Sequence, residues 1–320
     1  MSIILSSNLI HYFSIGLSTV ITAMSVALSQ AKLSKASLDA INRQPAAKSD
    51  LSRAAVLGLA IVETSALLGF IGSILLYFYE PQNIYQAIAG FGYSLAISVP
   101  GFIIAIASSM PAQAALLSMS KQLFISKKIM NLMLLTQSLI QTPAAFGFII
   151  ALIIMNQLSS INTLPQAFAI LASALSIGIG SIGPGLGVGY FTQVACKGVG
   201  LNRFAYSKLI SFTVISQAII ETPVIFAVII AFWLLSLSSS TIQNPIFAIV
   251  YLAVPFVIGL GTLGAGLGSA RAAAAACQQI VANPQIYSSI SRTSLIAQGI
   301  IDTAAIYAFI IALAIILKIT

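Results

Sequence analysis

Apolar positions fall in long unbroken runs separated by short polar connectors. Eight such runs can be read along the chain, at residues 9–31, 54–78, 87–109, 129–154, 167–194, 209–235, 246–270 and 294–316. Each exceeds the roughly 20 residues that carry an α-helix across a hydrocarbon core. None alternates with the period of two that marks a strand, so the runs predict helices. An even number of crossings returns the chain to the side on which it began. The pattern predicts an all-α membrane protein of eight transmembrane helices.

Composition sharpens this picture by exclusion. Of 320 residues, 59% are hydrophobic and 6% charged, where a soluble domain carries about 25% charged residues. The mean hydropathy is +1.04. Such a surface could not stay wet, which excludes a soluble enzyme, a disordered regulator and a nucleic-acid binder. One histidine, His11, and two cysteines, Cys196 and Cys277, offer no metal-ligand spacing. No GxSxG, HExxH or Walker loop is present. The start of the chain has no basic segment ahead of a short apolar run, so no cleaved signal peptide is expected.

The net charge of +8 is a topology signal. Five basic residues lie between the first and second runs (Lys32, Lys35, Arg43, Lys48, Arg53), and three follow the third (Lys121, Lys127, Lys128). Three follow the fifth (Lys197, Arg203, Lys208), and Arg271 and Arg292 flank the last connection. The remaining connectors carry none, and Lys318 is near the C-terminus. By the positive-inside rule the odd-to-even loops face the cytoplasm and both termini face out, as in a bacterial plasma (inner) membrane.

The runs are also copies of one another. Ala60-Ile61-Val62-Glu63-Thr64 is echoed by Ser138-Leu139-Ile140-Gln141-Thr142, Ala218-Ile219-Ile220-Glu221-Thr222 and Gly299-Ile300-Ile301-Asp302-Thr303. The fourth positions are 78, 80 and 81 residues apart. A repeat of this period and constant polarity predicts one helical hairpin duplicated head to tail. It argues against the inverted repeats of many transporters. The expected units are residues 1–80 (with Glu63), 81–160 (with Gln141 and no carboxylate), 161–240 (with Glu221) and 241–320 (with Asp302).

Odd-numbered runs carry a different signature. Gly183, Gly185, Gly187 and Gly189 recur at every second position, as do Gly264, Gly266 and Gly268. Weaker forms stand in the first run (Ala23, Ser25, Ala27, Ser29, Ala31) and the third (Ala105, Ala107, Ser109). Glycine costs about 1 kcal/mol in a soluble helix, so such a run needs a reason, and in a membrane that reason is close backbone approach. A stripe at spacing two covers more than one face, as a helix crowded from both sides in a tight inner row requires.

The chemistry rests on the even-numbered runs. Glu63 lies ten residues past Arg53 and seventeen before Glu80, deep in the hydrocarbon at ~1.5 Å per residue. An ionisable group there costs roughly 2.5–3.5 kcal/mol on insertion scales and is functional by default. A carboxyl in low dielectric is most comfortable neutral. It can hold a proton while facing lipid and release it where water or a cation is offered. Glu63, Glu221 and Asp302 share one repeat position, so a purely structural role for all three is the weaker reading.

At this point the chain resembles the proteolipid, or c-ring protein, of rotary ATP synthases, a hairpin whose copies form a membrane rotor ring. The glycine-striped helix, the loop Asn42-Arg43-Gln44-Pro45 and the mid-membrane acid all match, and four tandem hairpins cover essentially the whole chain. Only the first hairpin keeps that loop intact; the fourth has Ala282-Asn283-Pro284, and the second and third lack the proline. The resemblance implies that Glu63, Glu221 and Asp302 carry ions, that Gln141 is a degenerate site and hairpin 2 a passive spacer, and that Arg43, Gln44 and Pro45 grip a central stalk. It implies a homo-oligomeric ring in contact with membrane lipid, a stator component supplying an arginine, central stalk subunits as partners, no nucleic acid, and ATP chemistry performed elsewhere. The loop favours the F-type; four fused hairpins leave the proteolipid of a vacuolar- or archaeal-type ATPase open. A non-rotary channel or carrier would need a polar lumen that the glycine-striped faces do not offer.

The resemblance also frames the choice of ion. Sodium-type members place a glutamine on the first helix and a hydroxyl after the acid. Gln30, 33 residues before Glu63, matches that glutamine, while the same offset gives Ser108, Val188 and Ser269 elsewhere. Hydroxyls follow as Thr64, Thr142, Thr222 and Thr303, and a matching tyrosine only as Tyr307. One hairpin in four with the full glutamine favours protons over sodium, with no resident cofactor or metal expected. Pro143 and Pro223, two residues past the key position, would leave the carbonyls of Leu139 and Ile219 without a backbone donor, either to bind at the site or simply to kink the helix. Lys32 and Arg271 lie two residues past Gln30 and Ser269 and are expected to snorkel to the boundary rather than pair with the acids.

Overall fold

The structure is a computed structural model that describes residues 2–238 and 246–319. Its helices are α1 (Ser2–Arg43), α2 (Lys48–Tyr77), α3 (Ile84–Met119), α4 (Ser126–Ile140), α5 (Thr142–Gln157), α6 (Leu164–Gly180), α7 (Ile182–Leu201), α8 (Tyr206–Leu237), α9 (Ile246–Ala282) and α10 (Tyr287–Ile319). Among the described residues, eight helical segments are long and apolar enough to cross a membrane, with α4 and α5 forming one and α6 and α7 another. The chain is an all-α membrane protein of four tandem hairpins. The expected unit boundary between residues 240 and 241 lies outside the described residues; those at 80/81 and 160/161 fall near the connectors that lead into α3 and α6.

The helices outrun the apolar stretches that predict them. α1 has 42 residues against an apolar run of 23, because Lys32-Leu33-Ser34-Lys35-Ala36 contains good helix formers and nothing stops the helix before Gln44-Pro45. At ~1.5 Å per residue the 36-residue α3 is far longer than a hydrocarbon core, so the helix ends project beyond it. Two runs expected to be single helices are interrupted instead. Gln141 separates α4 from α5, and Ser181 separates α6 from α7. Each break precedes a proline, Pro143 or Pro184, which lacks the N–H that would continue the ladder. Pro223 produces no break, and α8 runs through it.

The hairpin turns are one structure repeated. Gln44, Gln122, Asn202 and Asn283 have φ of −140°, −133°, −137° and −138°, and each opens a three-residue 3-10 turn. The second and third hairpins keep this turn although Leu123 and Arg203 replace the proline. In the third, Asn202 does so by accepting a hydrogen bond from the Phe204 N–H, a local contact that stands in for proline's restricted φ.

Packing arranges the hairpins in two rows. α1, α3, α6/α7 and α9 lie side by side in that order, and α2, α4/α5, α8 and α10 cover their outer side. The glycine stripe explains how the inner row closes up. A Cβ on Gly183 would lie 2.7 Å from the Leu263 carbonyl oxygen, and one on Gly187 would lie 2.6 Å from that of Gly266, both on α9. A Cβ on Gly185 would meet Ile103 at 3.0 Å, and one on Gly189 would meet the Ala107 carbonyl oxygen at 2.8 Å, both on α3. Residues two apart are about 200° apart around a helix of 3.6 residues per turn. Alternate glycines therefore serve opposite neighbours, as the stripe predicts.

The row has two open ends. On α9, Gly266 faces α7, whereas a Cβ on Gly264 would meet nothing within 4 Å. On α1, Ser25 donates to the Phe102 carbonyl of α3 at 2.6 Å, while Ala27 and Ala31 are exposed. Among the described residues, Ala27 and Ala31 on the first inner helix and Gly264 on the last are left open, while Gly268 is covered by Ile301 of α10.

Candidate functional site

The key residues of the four hairpins all lie on the outer helices, against the inner row. Glu63 on α2 accepts a hydrogen bond from the Gln30 Nε2 of α1, which also lies 3.4 Å from the Leu59 carbonyl. Asp302 on α10 accepts one from the Ser269 hydroxyl of α9 at 2.6 Å and is 7% exposed. Both donors stand 33 residues before their acid.

Hairpin 3 differs. Its residue at that offset is the buried Val188, which has no donor. Glu221 takes its hydrogen bond from its own helix: Gln217, one turn earlier, donates Nε2 to Glu221 Oε1 at 3.1 Å. The 33-residue offset does not point to Gln217. A signal stood four residues before the key position, where the four hairpins have Leu59, Gln137, Gln217 and Gln298. These three glutamines are fully buried. Each also bonds across to the preceding outer helix, Gln137 Nε2 to the Gly58 carbonyl at 3.3 Å, Gln217 Nε2 to that of Thr136 at 3.3 Å, and Gln298 Nε2 to the Ser216 hydroxyl at 3.2 Å.

Gln141 is held at both ends. Its Oε1 accepts from the Thr64 hydroxyl at 3.0 Å, and its Nε2 donates to the Ile61 carbonyl at 3.3 Å. The neutral amide thus ties α4 to α2.

Other candidates are not brought to the acids. Thr222 and Thr303 return their hydroxyls to the carbonyls of Ala218 and Ile300 on their own helices, at 3.0 and 2.7 Å. Tyr307 is 65% exposed on α10. The Leu139 carbonyl, freed by Pro143, is taken by the Thr142 hydroxyl at 2.7 Å. Lys32 and Arg271 are exposed. Arg43 ends α1 and is exposed, and Gln44-Pro45 form the turn beyond it, at the far end of the helix from His11.

Comparison with known proteins decides what this repeated arrangement is. The family model for the ATP synthase C subunit matches three times, at residues 13–76, 171–234 and 252–315, together more than half of the chain. The chain belongs to the ATP synthase C-subunit family. The matches cover hairpins 1, 3 and 4, those with an acid at the key position, and pass over the hairpin with Gln141. Among relatives, the second ATP synthase c-subunit of Cereibacter sphaeroides is 42% identical over 62 residues, 19% of this chain and 75% of the relative. The ATP synthase c-subunit of Chloroflexus aurantiacus is 35% identical over 67 residues, 21% of this chain and 88% of the relative. That of a Synechococcus species is 35% identical over 74 residues, 23% of this chain and 91% of the relative. Each relative is about one hairpin long, so this member is a fusion of c-subunit hairpins.

Proposed function

We propose that the chain is a non-catalytic rotor subunit of an F-type ATP synthase, with Glu63, Glu221 and Asp302 as its proton carriers and hairpin 2 as a spacer. The observation that carries this reading is the set of three acids at one repeat position, each on an outer helix and each given one polar donor. Membership of the family supplies the context of ion-driven rotation.

The mechanism follows from the cost of charge in hydrocarbon. An ionised carboxylate facing lipid is expensive, whereas a neutral carboxyl with its polar atoms bonded can pass. Each acid would cross the lipid-facing part of a turn neutral and give up its proton where an arginine of the stator stabilises the carboxylate. The open small-residue faces of α1 and α9 are complementary in kind, and head-to-tail repetition of that contact would close a ring. With the basic connectors at the cytoplasmic face, the turns at Arg43-Gln44-Pro45 and its three counterparts would meet the central stalk. Three carriers in four hairpins lower the ions moved per turn by a quarter, and each ion crossing 100 mV contributes about 2.3 kcal/mol.

The reading is tested by treating membranes with a carbodiimide and counting modified acids per chain by mass spectrometry, with and without sodium. Modification of Glu63, Glu221 and Asp302, with loss of ion-driven ATP synthesis and no protection by sodium, is the expected result. Sodium protection would replace the proton with sodium, a reading that the Gln30–Glu63 pair favours. Failure of all three acids to react would overturn the carrier assignment.

A further inference from the structure

We propose that Gln217 is a positioning residue that makes hairpin 3 ion-competent, supplying from the outer helix the polar contact that Val188 cannot supply from the inner one. The inference rests on the reading of Glu221 as a carrier and adds a residue to its site.

Three observations carry it. The inner-helix position that serves Glu63 through Gln30 and Asp302 through Ser269 holds a buried valine in hairpin 3. Gln217 Nε2 lies 3.1 Å from Glu221 Oε1, the reach expected of side chains one helical turn apart. Its counterparts do not touch their key residues. Gln137 Nε2 spends its hydrogen bonds on the carbonyls of Gly58 and Ser108, and Gln298 Nε2 spends its own on the hydroxyls of Ser216 and Ser294. The bond to the acid is made where the inner donor is missing.

The other end of the amide is available in all three of these glutamines. Among the described residues Gln217 Oε1 is buried with no hydrogen-bond partner, as are Oε1 of Gln137 and of Gln298, but only Gln217 has its acid within reach. An ionised Glu221 can only accept hydrogen bonds, but a neutral one also carries an O–H that needs an acceptor. The amide offers both, a donor to the carboxylate and a spare acceptor for the carboxyl proton. Leu59, at the same place in hairpin 1, has neither, and there Gln30 serves the acid instead.

The test uses the full-length assembly carrying Glu63→Gln and Asp302→Asn, so that Glu221 is its mid-membrane acid. The infrared carbonyl band lost when carbodiimide modifies Glu221 reports the bonding of the neutral carboxyl. Gln217→Leu, a side chain that hairpin 1 accommodates at this place, is expected to move that band to higher wavenumber. Val188→Ser added to Gln217→Leu, mirroring Ser269, is expected to bring it back; Val188→Thr, which keeps valine's shape, is the second rescue variant. An unmoved band overturns the inference, and so does a moved band that neither rescue restores, which would assign the shift to packing. If Glu221 does not react before Gln217 is changed, the carrier reading fails with it. A reactive Glu221 with an unmoved band removes Gln217 alone.

Discussion

Hairpins 2 and 3 share a turn, an outer helix with a proline two residues past the key position, and a buried glutamine one turn before it. They differ in what stands at that position and in what it does. Gln141 both accepts and donates across the gap to α2, through Thr64 and Ile61. Among the described residues Glu221 has no such tie to the preceding hairpin: Thr64 shares its one O–H between the Ile61 carbonyl and Gln141 Oε1, whereas Thr142, its counterpart, bonds to the Leu139 carbonyl alone. An amide has a donor and an acceptor at once and can staple two helices permanently. A carboxylate has only acceptors until it takes up a proton. At position 141 the amide therefore stands, satisfied throughout by Thr64 and Ile61, where an acid's bonding would depend on ion occupancy, and the family match falls on hairpin 3 and passes over hairpin 2.

Making hairpin 3 resemble hairpin 2 should have the gravest consequence. Glu221→Gln should reduce ion-driven ATP synthesis in membranes to background, because together with Gln141 it leaves two successive hairpins with no group that can ionise opposite the stator's arginine. If the natural amide at 141 is tolerated because Thr64 and Ile61 hold it, the added amide at 221 gains no equivalent staple. Synthesis that persists at half its rate or more would show that hairpin 3 is also a spacer.

Packing gives the next effect. Gly187→Val places side-chain atoms where a Cβ alone would lie 2.6 Å from the Gly266 carbonyl oxygen, and overpacking of this kind costs about 1–3 kcal/mol. Resistance of the assembly to dodecyl sulfate should fall accordingly. Gly264→Ala should leave the isolated chain unaffected, since its Cβ meets nothing within 4 Å. It should weaken the oligomer if that face of α9 meets a second copy, a difference that native mass spectrometry of chain and oligomer would read.

How far these features could be read in advance depends on their range. The helices, their number and the hairpin repeat are written in runs of apolar residues and in the spacing of Glu63, Gln141, Glu221 and Asp302, which need no tertiary knowledge. The double-sided role of the stripe follows from helix geometry, and Gly183 to Gly189 bear it out. Two things were less legible. The interruptions at Gln141 and Ser181 depend on how each proline is accommodated, since Pro143 and Pro184 follow breaks while Pro223 does not. The role of Gln217 depends on which of several amide orientations packing allows, and Gln137 and Gln298, at the same repeat position, point to other partners. A position can be flagged from its repeat register, but its bond belongs to the assembled neighbours.

The mildest effects test the staple itself. Gln141→Leu removes both hydrogen bonds to α2, and interhelical hydrogen bonds in membranes average about 0.6 kcal/mol, so a loss of roughly twice that is expected. Thr64→Val removes only the donor to Gln141 Oε1 and keeps the side chain's shape, so it should cost about half as much as Gln141→Leu. Because Thr64 also bonds the Ile61 carbonyl of its own helix at 2.7 Å, part of that cost is local to α2 and would remain in a Gln141→Leu background. A double-mutant cycle followed by dodecyl sulfate unfolding separates the two. Non-additivity of a few tenths of a kcal/mol is expected for the Thr64–Gln141 pair. The counterpart cycle with Thr142→Val and Glu221→Gln should be additive, because among the described residues Thr142 bonds to Leu139 and not to Glu221. Equal coupling in both pairs would mean that hairpin 3 is stapled as hairpin 2 is, and the contrast between them would be lost.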